Sequence, residues 1–313
     1  MSIWALGLVS MFMDTSSELV HSLLPVFMVS VLGASITTVG VIEGVAEATA
    51  AFAKVFSGAI SDYFGRRKFF VVLGYGLAAI TKPIFPLANS IGWVFTARFF
   101  DRIGKGIRGA PRDALVADIT PPEQRGAAYG LRQSLDSVGA FVGPLLAVAF
   151  MAWLANDIKA VLWVAVVPAF ISVALLITLV REPDRVPSRT GPRLLFTRVD
   201  ARRLPRRYWL IVLLGVVFTM ARFSEAFLVL RALDVGFGLG YVPAVLIVMN
   251  VVYAVAAYPA GALADRFSRR KLLIAGLAVL IAADVMLTMA VAPLLVLLGS
   301  ALWGLHMALT QGL

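Results

Sequence analysis

Long apolar runs alternate with short polar stretches along the whole chain, and these runs predict its architecture. A helix needs about 20 mostly apolar residues to cross a bilayer, and ten segments meet or approach that length. We label them α1 to α10 in chain order; they are residues 4–32, 36–60, 69–88, 91–115, 127–152, 158–180, 209–231, 241–262, 271–290 and 293–313. The pattern predicts an all-α polytopic membrane protein, with α4 the least regular span because it carries many charges.

Composition supports a membrane environment and excludes several kinds of site. Hydrophobic residues make up 60% of the chain and charged residues 15%, whereas a soluble domain has about 25% charged residues. Cysteine is absent and there are two histidines, which leaves no thiol chemistry and no recognisable zinc pattern. We therefore predict no cofactor, no metal and no catalytic residues. The first residues are expected to begin α1 rather than form a secretory signal.

The positive charge of the chain is concentrated between helices. The net charge is +10, and residues 181–207 hold nine arginines against three acidic residues. Lys and Arg accumulate in cytoplasmic loops, so we expect a multi-pass protein of the bacterial cytoplasmic (inner) membrane with a cytoplasmic N-terminus, and no nucleic-acid partner. The expected division is a six-helix bundle at 1–180, a basic linker at 181–208 and an incomplete second bundle at 209–313.

One short basic turn occurs twice, 203 residues apart. It follows α2 and recurs after α8, and a repeat at this distance predicts two equivalent halves. The pair Ser17-Glu18 in α1 also has a counterpart, Ser224-Glu225, in α7. The positions of the basic turn are Gly58, Asp62, Gly65, Arg66 and Arg67 in the first copy and Gly261, Asp265, Arg269 and Arg270 in the second.

This turn, Gly-x-x-x-Asp-x-x-Gly-Arg-Arg-Lys, resembles the signature loop of the major facilitator superfamily. The second copy, with Ser268 at the second glycine, is similar to that family's weaker repeat. The resemblance implies two pseudo-symmetric six-helix bundles around a central cavity, with the loops as cytoplasmic gates. It implies that Asp62 lacks part of its partner and that Asp265 faces α5. A full member would have twelve spans, so we expect a truncated chain.

A second pattern in α5 is similar to the motif of proton-coupled exporters in that superfamily. Small residues would let α5 pack closely against a neighbour, although Ala147-Val148 stands where the family pattern ends in glycine. Ordinary helix packing is the alternative interpretation. The motif positions are Gly130, Gly139, Gly143 and Pro144.

Ionisable residues fall where the bilayer centre should be. Each costs about 2.5–3.5 kcal/mol on insertion scales, and within single helices they share one face, which predicts a polar wall along a substrate and proton pathway. For any one residue, a structural ion pair is the alternative. Glu18 and Glu47 are the first candidates for reversible protonation. The predicted pathway residues are Asp14, Glu18, His21, Glu43, Glu47, Arg98, Asp101, Arg102, Arg132, Asp136, Arg222 and Glu225.

Three further basic residues are expected to have no such role. Lys82, near the outer end of α3, should extend its amine to the membrane surface. Arg108 and Arg112, with Asp113, lie toward the cytoplasmic end of α4 and should be interfacial. The sequence Gly104-Lys-Gly106-Ile-Arg-Gly109 satisfies a dinucleotide-binding pattern, but it lies in a membrane helix without a βαβ unit, so we reject that function.

These observations predict a monomeric secondary transporter in the lipid bilayer and not an enzyme. The first hypothesis is an antiporter for efflux of small organic molecules in exchange for protons. The alternative is a carrier of an anionic solute, suggested by Arg98, Arg102, Lys105 and Arg132. A channel or a membrane enzyme is less favoured, since no nucleophile and base converge.

Overall fold

A computed structural model describes residues 2–182, 204–266 and 268–310, and within these ranges helices alternate with short turns and no strand occurs. All ten predicted helices are present. The N-terminal half contains α1 (Ser2–Val26, continued by a π-helical turn at Phe27–Val31), α2 (Ile36–Phe64), α3 (Arg67–Thr81 and Ile84–Leu87), α4 (Ile91–Ile119), α5 (Arg125–Trp153) and α6 (Ile158–Val164 and Val166–Leu179). The C-terminal half contains α7 (Arg206–Met220 and Ala226–Asp234), α8 (Ala244–Arg266), α9 (Arg269–Thr288) and α10 (Pro293–Thr310).

Seven of these helices are long and apolar enough to cross a membrane on length and composition alone: α2, α3, α5, α6, α8, α9 and α10. The other three have visible reasons to fall short. α1 and α4 carry polar faces, and α7 is interrupted between Met220 and Ala226. Polar faces on membrane helices are stable only against protein or water, so α1 and α4 are expected at the centre of the bundle.

Helix pairing repeats between the halves. α4 packs against both α2 and α3, and α10 packs in the same way against α8 and α9. α1 packs along α5 and α6, and the halves meet where α1 contacts α7 and α5 contacts α8. This repeated pairing is what we expect of two equivalent halves, which the repeated sequence pattern predicts.

Among the residues that the structure describes, the apolar cluster that joins the two halves lies at one end of the molecule. A large cluster there combines Leu23 and Phe27 of α1 with Val229, Met249 and Trp303 of the C-terminal half. A second cluster, at the end that carries the signature loop, contains residues of the N-terminal half alone, from α1 and α3 to α6. The halves are therefore sealed together at one end and separate toward the other.

Candidate functional site

A cavity of about 560 Å³ lies between α1, α2, α4, α5, α8 and α10, on the side of the apolar seal that faces the signature loop. Four acidic and four basic side chains reach its surface. Small residues fill much of the remaining wall. The lining residues are Asp14, Glu18, Glu47, Ala50, Ala51, Lys54, Lys105, Gly106, Arg108, Gly109, Arg112, Gln133, Asp136, Ser137, Ala140, Asn250, Tyr253 and Met307.

Two glycines of the α5 motif set the position of α1 in this wall. A Cβ atom at Gly139 would lie 2.5 Å from the carbonyl oxygen of Met11. A Cβ atom at Gly143 would lie 2.7 Å from the carbonyl oxygen of Thr15 and 2.8 Å from the Cβ of Glu18. Only glycine permits this backbone contact, which holds Asp14 and Glu18 at the cavity surface. Gly130 differs, since a Cβ there would meet nothing within 4 Å.

We expect Gly143→Ala to destabilise the protein and Gly130→Ala to leave it unchanged or slightly more stable. The Gly143 methyl group would force α5 away from α1, and overpacking of this kind costs about 1–3 kcal/mol. Both substitutions improve helix propensity by about 1 kcal/mol, so the matched Gly130 variant isolates the contact. Unfolding in mixed detergent–SDS micelles would measure both free energies. Equal stability of the two variants would show that the close contact is not formed.

The glycines of the rejected dinucleotide pattern are also helix contact points. A Cβ at Gly104 would lie 2.6 Å from the carbonyl oxygen of Gly74 in α3, and one at Gly106 would lie 2.7 Å from the carbonyl oxygen of Ala50 in α2. The Ser57 hydroxyl donates a hydrogen bond of 3.0 Å to the Gly106 carbonyl oxygen. These contacts fix α4 against α2 and α3.

A chain of charged groups runs behind and into the cavity wall. The Arg98 guanidinium donates to both oxygens of Glu43, at 3.0 and 2.6 Å, and both side chains are at most 2% exposed. The His21 ring lies between two carboxylates, with Nε2 3.8 Å from Glu43 and Nδ1 3.5 Å from Glu18. The chain therefore connects α4, α2 and α1.

Glu225 extends this chain to the C-terminal half. Donor atoms of Glu18, His21 and Glu225 all lie within 4.8 Å of one another. Two carboxylates and an imidazole at this separation are suited to sharing a proton, and they are also close enough to hold one cation. The sequence predicts no metal here.

Lys82 does not extend to the membrane surface, and that expectation is wrong. Its side chain is 1% exposed, and its amine donates to Asp101 at 2.9 Å and to the Ser17 hydroxyl at 3.1 Å. A buried ammonium requires such partners, and α4 and α1 supply them. Sequence position alone gave no sign that Asp101 would face it.

Arg108 and Arg112, which were expected from the sequence to have no part in the pathway, both line the cavity. The Arg108 guanidinium lies 4.5 Å from the centre of the Tyr75 ring. Arg112 donates to the Ser10 hydroxyl at 3.1 Å and lies 3.3 Å from Asp113. α4 thus contributes its basic face to the cavity as far as Arg112, near the end of its predicted span.

The structure separates the predicted pathway residues into those in the wall and those behind it. Asp14, Glu18, Glu47 and Asp136 line the cavity. Arg102 and Arg132 support two of them from behind, at 3.3 Å from Glu47 and 2.7 Å from Asp136. Arg222 is half-buried at the interruption of α7 and does not line the cavity. The remaining residues, Glu43, Arg98, Asp101, His21 and Glu225, belong to the ion pairs and the proton-sharing group above.

Sequence reasoning missed the contribution of α8. Asn250 and Tyr253 line the cavity, and the Asn250 amide donates to the Ala140 carbonyl oxygen at 3.1 Å, which ties α8 to α5. The sequence feature that could have revealed this part of the wall is the asparagine at position 250, which lies in an otherwise apolar helix. Neither Lys54 nor Lys105 was among the predicted pathway residues, although Lys105 supported the anionic-solute alternative, and both line the cavity.

The first signature loop holds the turn between α2 and α3 against the end of α4. Gly65 ends α2 with φ of +63°, a conformation that glycine adopts without strain. Arg67 donates to Asp62 and to Asp118, each at 2.6 Å, and to the Ala114 carbonyl oxygen at 2.9 Å. The Asp62 carboxylate has this partner within the loop and is 58% exposed.

The other gate positions lie within helices or where helices begin. A Cβ at Gly58 would meet the Ala110 side chain at 3.3 Å, and Arg66 is the residue before α3. In the second copy, Gly261 lies in α8, and Arg269 and Arg270 begin α9 and are exposed. The side chain of Asp265 lies outside the described residues, so its expected contact with α5 stays a prediction.

Comparison with known proteins identifies the family of this chain and proteins of similar fold. The family model for the Major Facilitator Superfamily matches residues 6–313. The uncharacterized MFS-type transporter MJ1317 of Methanocaldococcus jannaschii is 32% identical over 283 residues, which is 88% of this chain and 69% of that protein. The multidrug resistance protein MdtH of Yersinia enterocolitica is 29% identical over 150 residues, which is 48% of this chain and 36% of that protein.

Among solved structures, a bacterial homolog of the human lysosomal transporter Spinster is similar in fold. That structure is an inward-facing and occupied conformation. The TM-score is 0.73 at 17% identity, and the match covers 98% of this chain and 72% of the other. The agreement extends over all ten helices described above.

Proposed function

This chain belongs to the major facilitator superfamily, and from that premise we propose that it moves a small organic solute across the membrane by alternating access, exporting it in exchange for protons. The observation that carries the proposal is a polar cavity with walls from both halves and an apolar seal at one end. Rocking of the halves would break that seal and close the opposite end, which exposes one site to each side in turn.

Several features of the setting belong to the same proposal. The cavity opens toward the end that carries the basic loops, which we assign to the cytoplasm because Lys and Arg accumulate there. We place the protein in the bacterial cytoplasmic membrane as a monomer, with the N-terminus inside. The division into bundles at 1–180 and 209–313, joined by a basic linker at 181–208, is part of this assignment.

Proton coupling is proposed to occur at Glu18, His21 and Glu225. This group bridges the two halves, so a change in its charge alters how strongly α1 and α7 attract each other. The charged groups that face it are Glu43 and Arg98 behind His21, Arg102 and Lys105 from α4, and Arg222 from α7. Glu18 also lines the cavity, so its charge acts on a solute that binds there.

The export direction is supported by two resemblances. The glycines of α5 follow the exporter motif, and two of them make the contact with α1 on which the position of Glu18 depends. The multidrug-resistance relative matches about half of this chain. The first of these resemblances lies in α5, which forms part of the cavity wall.

The central test is Glu18→Gln in proteoliposomes with an imposed pH gradient. Uptake of a panel of fluorescent organic cations and anions would identify the transported probe. We expect the variant to lose about tenfold or more of the gradient-driven rate while solute exchange without a gradient continues. Glu123→Gln, in the exposed α4–α5 turn, is the matched control. Unchanged gradient dependence in Glu18→Gln would refute coupling at this group.

The second candidate is a carrier of an anionic solute. The residues that support it differ from most of those that the sequence suggested. Arg98, Arg102 and Arg132 are each paired with a carboxylate and offer little free charge. Lys105 remains, and it is joined at the cavity surface by Lys54 and Arg108. This group favours an anion independently of the direction of transport.

A further inference from the structure

The cavity wall formed by α2 and α4 carries positive charge that the protein does not neutralise. Lys54, Lys105 and Arg108 line it, and within the described ranges none of them has a carboxylate oxygen within 4.0 Å. An ordinary structural ion pair therefore does not account for them.

Two of the four acidic residues of the cavity are balanced by arginines that lie outside its lining, Glu47 by Arg102 and Asp136 by Arg132. Glu18 has the His21 ring beside it, which is charged only if protonated, and Asp14 has no cation within 4.0 Å in the part of the chain that the structure describes. Three cations without a carboxylate partner against these two acids leave the surface of the cavity positive.

Arg108 shows the clearest need for a ligand. Its side chain is 5% exposed and its Nη1 has no hydrogen-bond partner among the described residues, although the side chain lines the cavity. A buried donor without a partner is costly, and more so when it is charged. The stacking on Tyr75 holds the plane of the guanidinium, and a planar guanidinium can donate two parallel hydrogen bonds to a carboxylate or phosphate.

The helix packing holds these cations in place before any ligand binds. The close approach of α2 to α4 at Gly106 sets the two helices in register. A Cβ at Gly109 would lie 3.6 Å from the side-chain carbons of Lys54, so that side chain runs across α4 at the level of Lys105 and Arg108. A site built on rigid helices loses little freedom when it binds its ligand.

The facing wall has a different chemistry. Tyr253 and Met307 of the C-terminal half present an aromatic ring and a flexible apolar side chain, with Asn250 as a hydrogen-bonding group between the halves. An apolar body would pack there while an acidic group reached α2 and α4. A cavity of about 560 Å³ is in the range of sites that hold small organic ligands.

We propose that the solute is an organic anion, whose carboxylate or phosphate group binds Lys54, Lys105 and Arg108 and whose apolar part packs against Tyr253 and Met307. The proposal rests on the proposed function, because it places the anion in the transport cavity. It names the substrate class for that site, and it requires only binding in the state that the structure shows.

Equilibrium binding to the purified protein in a neutral detergent tests the proposal. The probes share one apolar body: 2-naphthoate and 2-naphthyl phosphate as anions, 2-naphthamide as the neutral match and 2-naphthylmethylamine as the cation. We expect the anions to bind about tenfold or more tightly than the amide. Arg108→Gln and Lys105→Gln should each weaken anion binding about tenfold and leave amide binding unchanged. Lys159→Gln, which removes a lysine outside the cavity, should change neither.

Several outcomes would overturn the site. They are equal affinity for naphthoate and naphthamide, unchanged anion affinity in Lys105→Gln, and no binding of either anion. Lys105 is exposed to the cavity, so its variant keeps the test valid if Arg108→Gln does not fold. If inorganic phosphate bound as tightly as naphthyl phosphate, the apolar part of the ligand would add no affinity, and its proposed packing against Tyr253 and Met307 would be refuted.

The binding result and the transport result separate the two proposals. Anion-selective binding with no gradient-driven flux of any probe would support the site and refute the proposed function. Gradient-driven flux of the amine or the amide, with no anion preference in binding, would support the proposed function and refute the site.

Discussion

Arg98→Met will lower the free energy of unfolding by about 3–5 kcal/mol, because it leaves the Glu43 carboxylate buried without its partner. The pair is joined by two hydrogen bonds and is almost completely buried. Its partners lie 55 residues apart on α4 and α2, so the pair also connects two helices that line the cavity. The measurement is SDS-induced unfolding in mixed micelles, followed by circular dichroism.

The double variant Arg98→Met with Glu43→Leu is the informative companion. Replacing both members of a buried pair with apolar residues is often neutral or stabilising, so most of the lost stability should return. Arg125→Met, which replaces an exposed arginine at the start of α5, controls for loss of charge. If Arg98→Met were as stable as that control, the buried pair would not exist. If the stable double variant kept its pH-dependent transport, the role of the pair would be structural alone.

Lys82→Met will destabilise the protein to a similar degree, about 3–5 kcal/mol, because Asp101 would then be buried without its ammonium partner. The amine also loses its hydrogen bond to Ser17 in α1, so three helices are affected together. A lysine that extended to the membrane surface would behave differently, since its replacement by an apolar residue of similar length would cost little. Unfolding of the purified variant in the same micelles would distinguish these cases.

Lys159→Met is the matched control, because Lys159 begins α6 and is only partly buried. The double variant Lys82→Met with Asp101→Leu should recover most of the stability, as an apolar pair does in place of a buried ionic one. A stability loss below about 0.5 kcal/mol in Lys82→Met, the usual range for a surface substitution, would contradict the buried position of this side chain.

The polar faces of the helices contain two kinds of charged residue, buried ion pairs and cations at the cavity surface. Arg98–Glu43 and Lys82–Asp101 lie at most 5% exposed and have satisfied partners, which is what a structural connection between helices requires. Lys54, Lys105 and Arg108 lie at the cavity surface, and no described carboxylate oxygen lies within 4.0 Å of them. The helices α2 and α4 therefore carry both a buried ion pair and cations that face the cavity.

The pattern along the chain was sufficient for the helices, the family and the general position of the charges. A membrane-spanning helix must be long and apolar, so its presence is visible in one dimension. The basic turns at Gly58 and Gly261 identified the repeat. The need for glycine at a turn is also visible in the sequence. At Gly65 the positive φ that ends α2 depends on the backbone of that residue alone. Shared faces within one helix are equally visible, since they depend on helix periodicity.

Only the tertiary structure decided which charges are paired and which remain free. Glu43 and Arg98 are 55 residues apart, and Lys82 and Asp101 are 19 residues apart on different helices. Their contact depends on how each helix is rotated and how closely it approaches its neighbour, which glycines such as Gly106 and Gly143 determine through backbone contacts. For that reason the sequence predicted a surface position for Lys82 and an interfacial one for Arg108, while the packed helices bury the first against Asp101 and turn the second into the cavity.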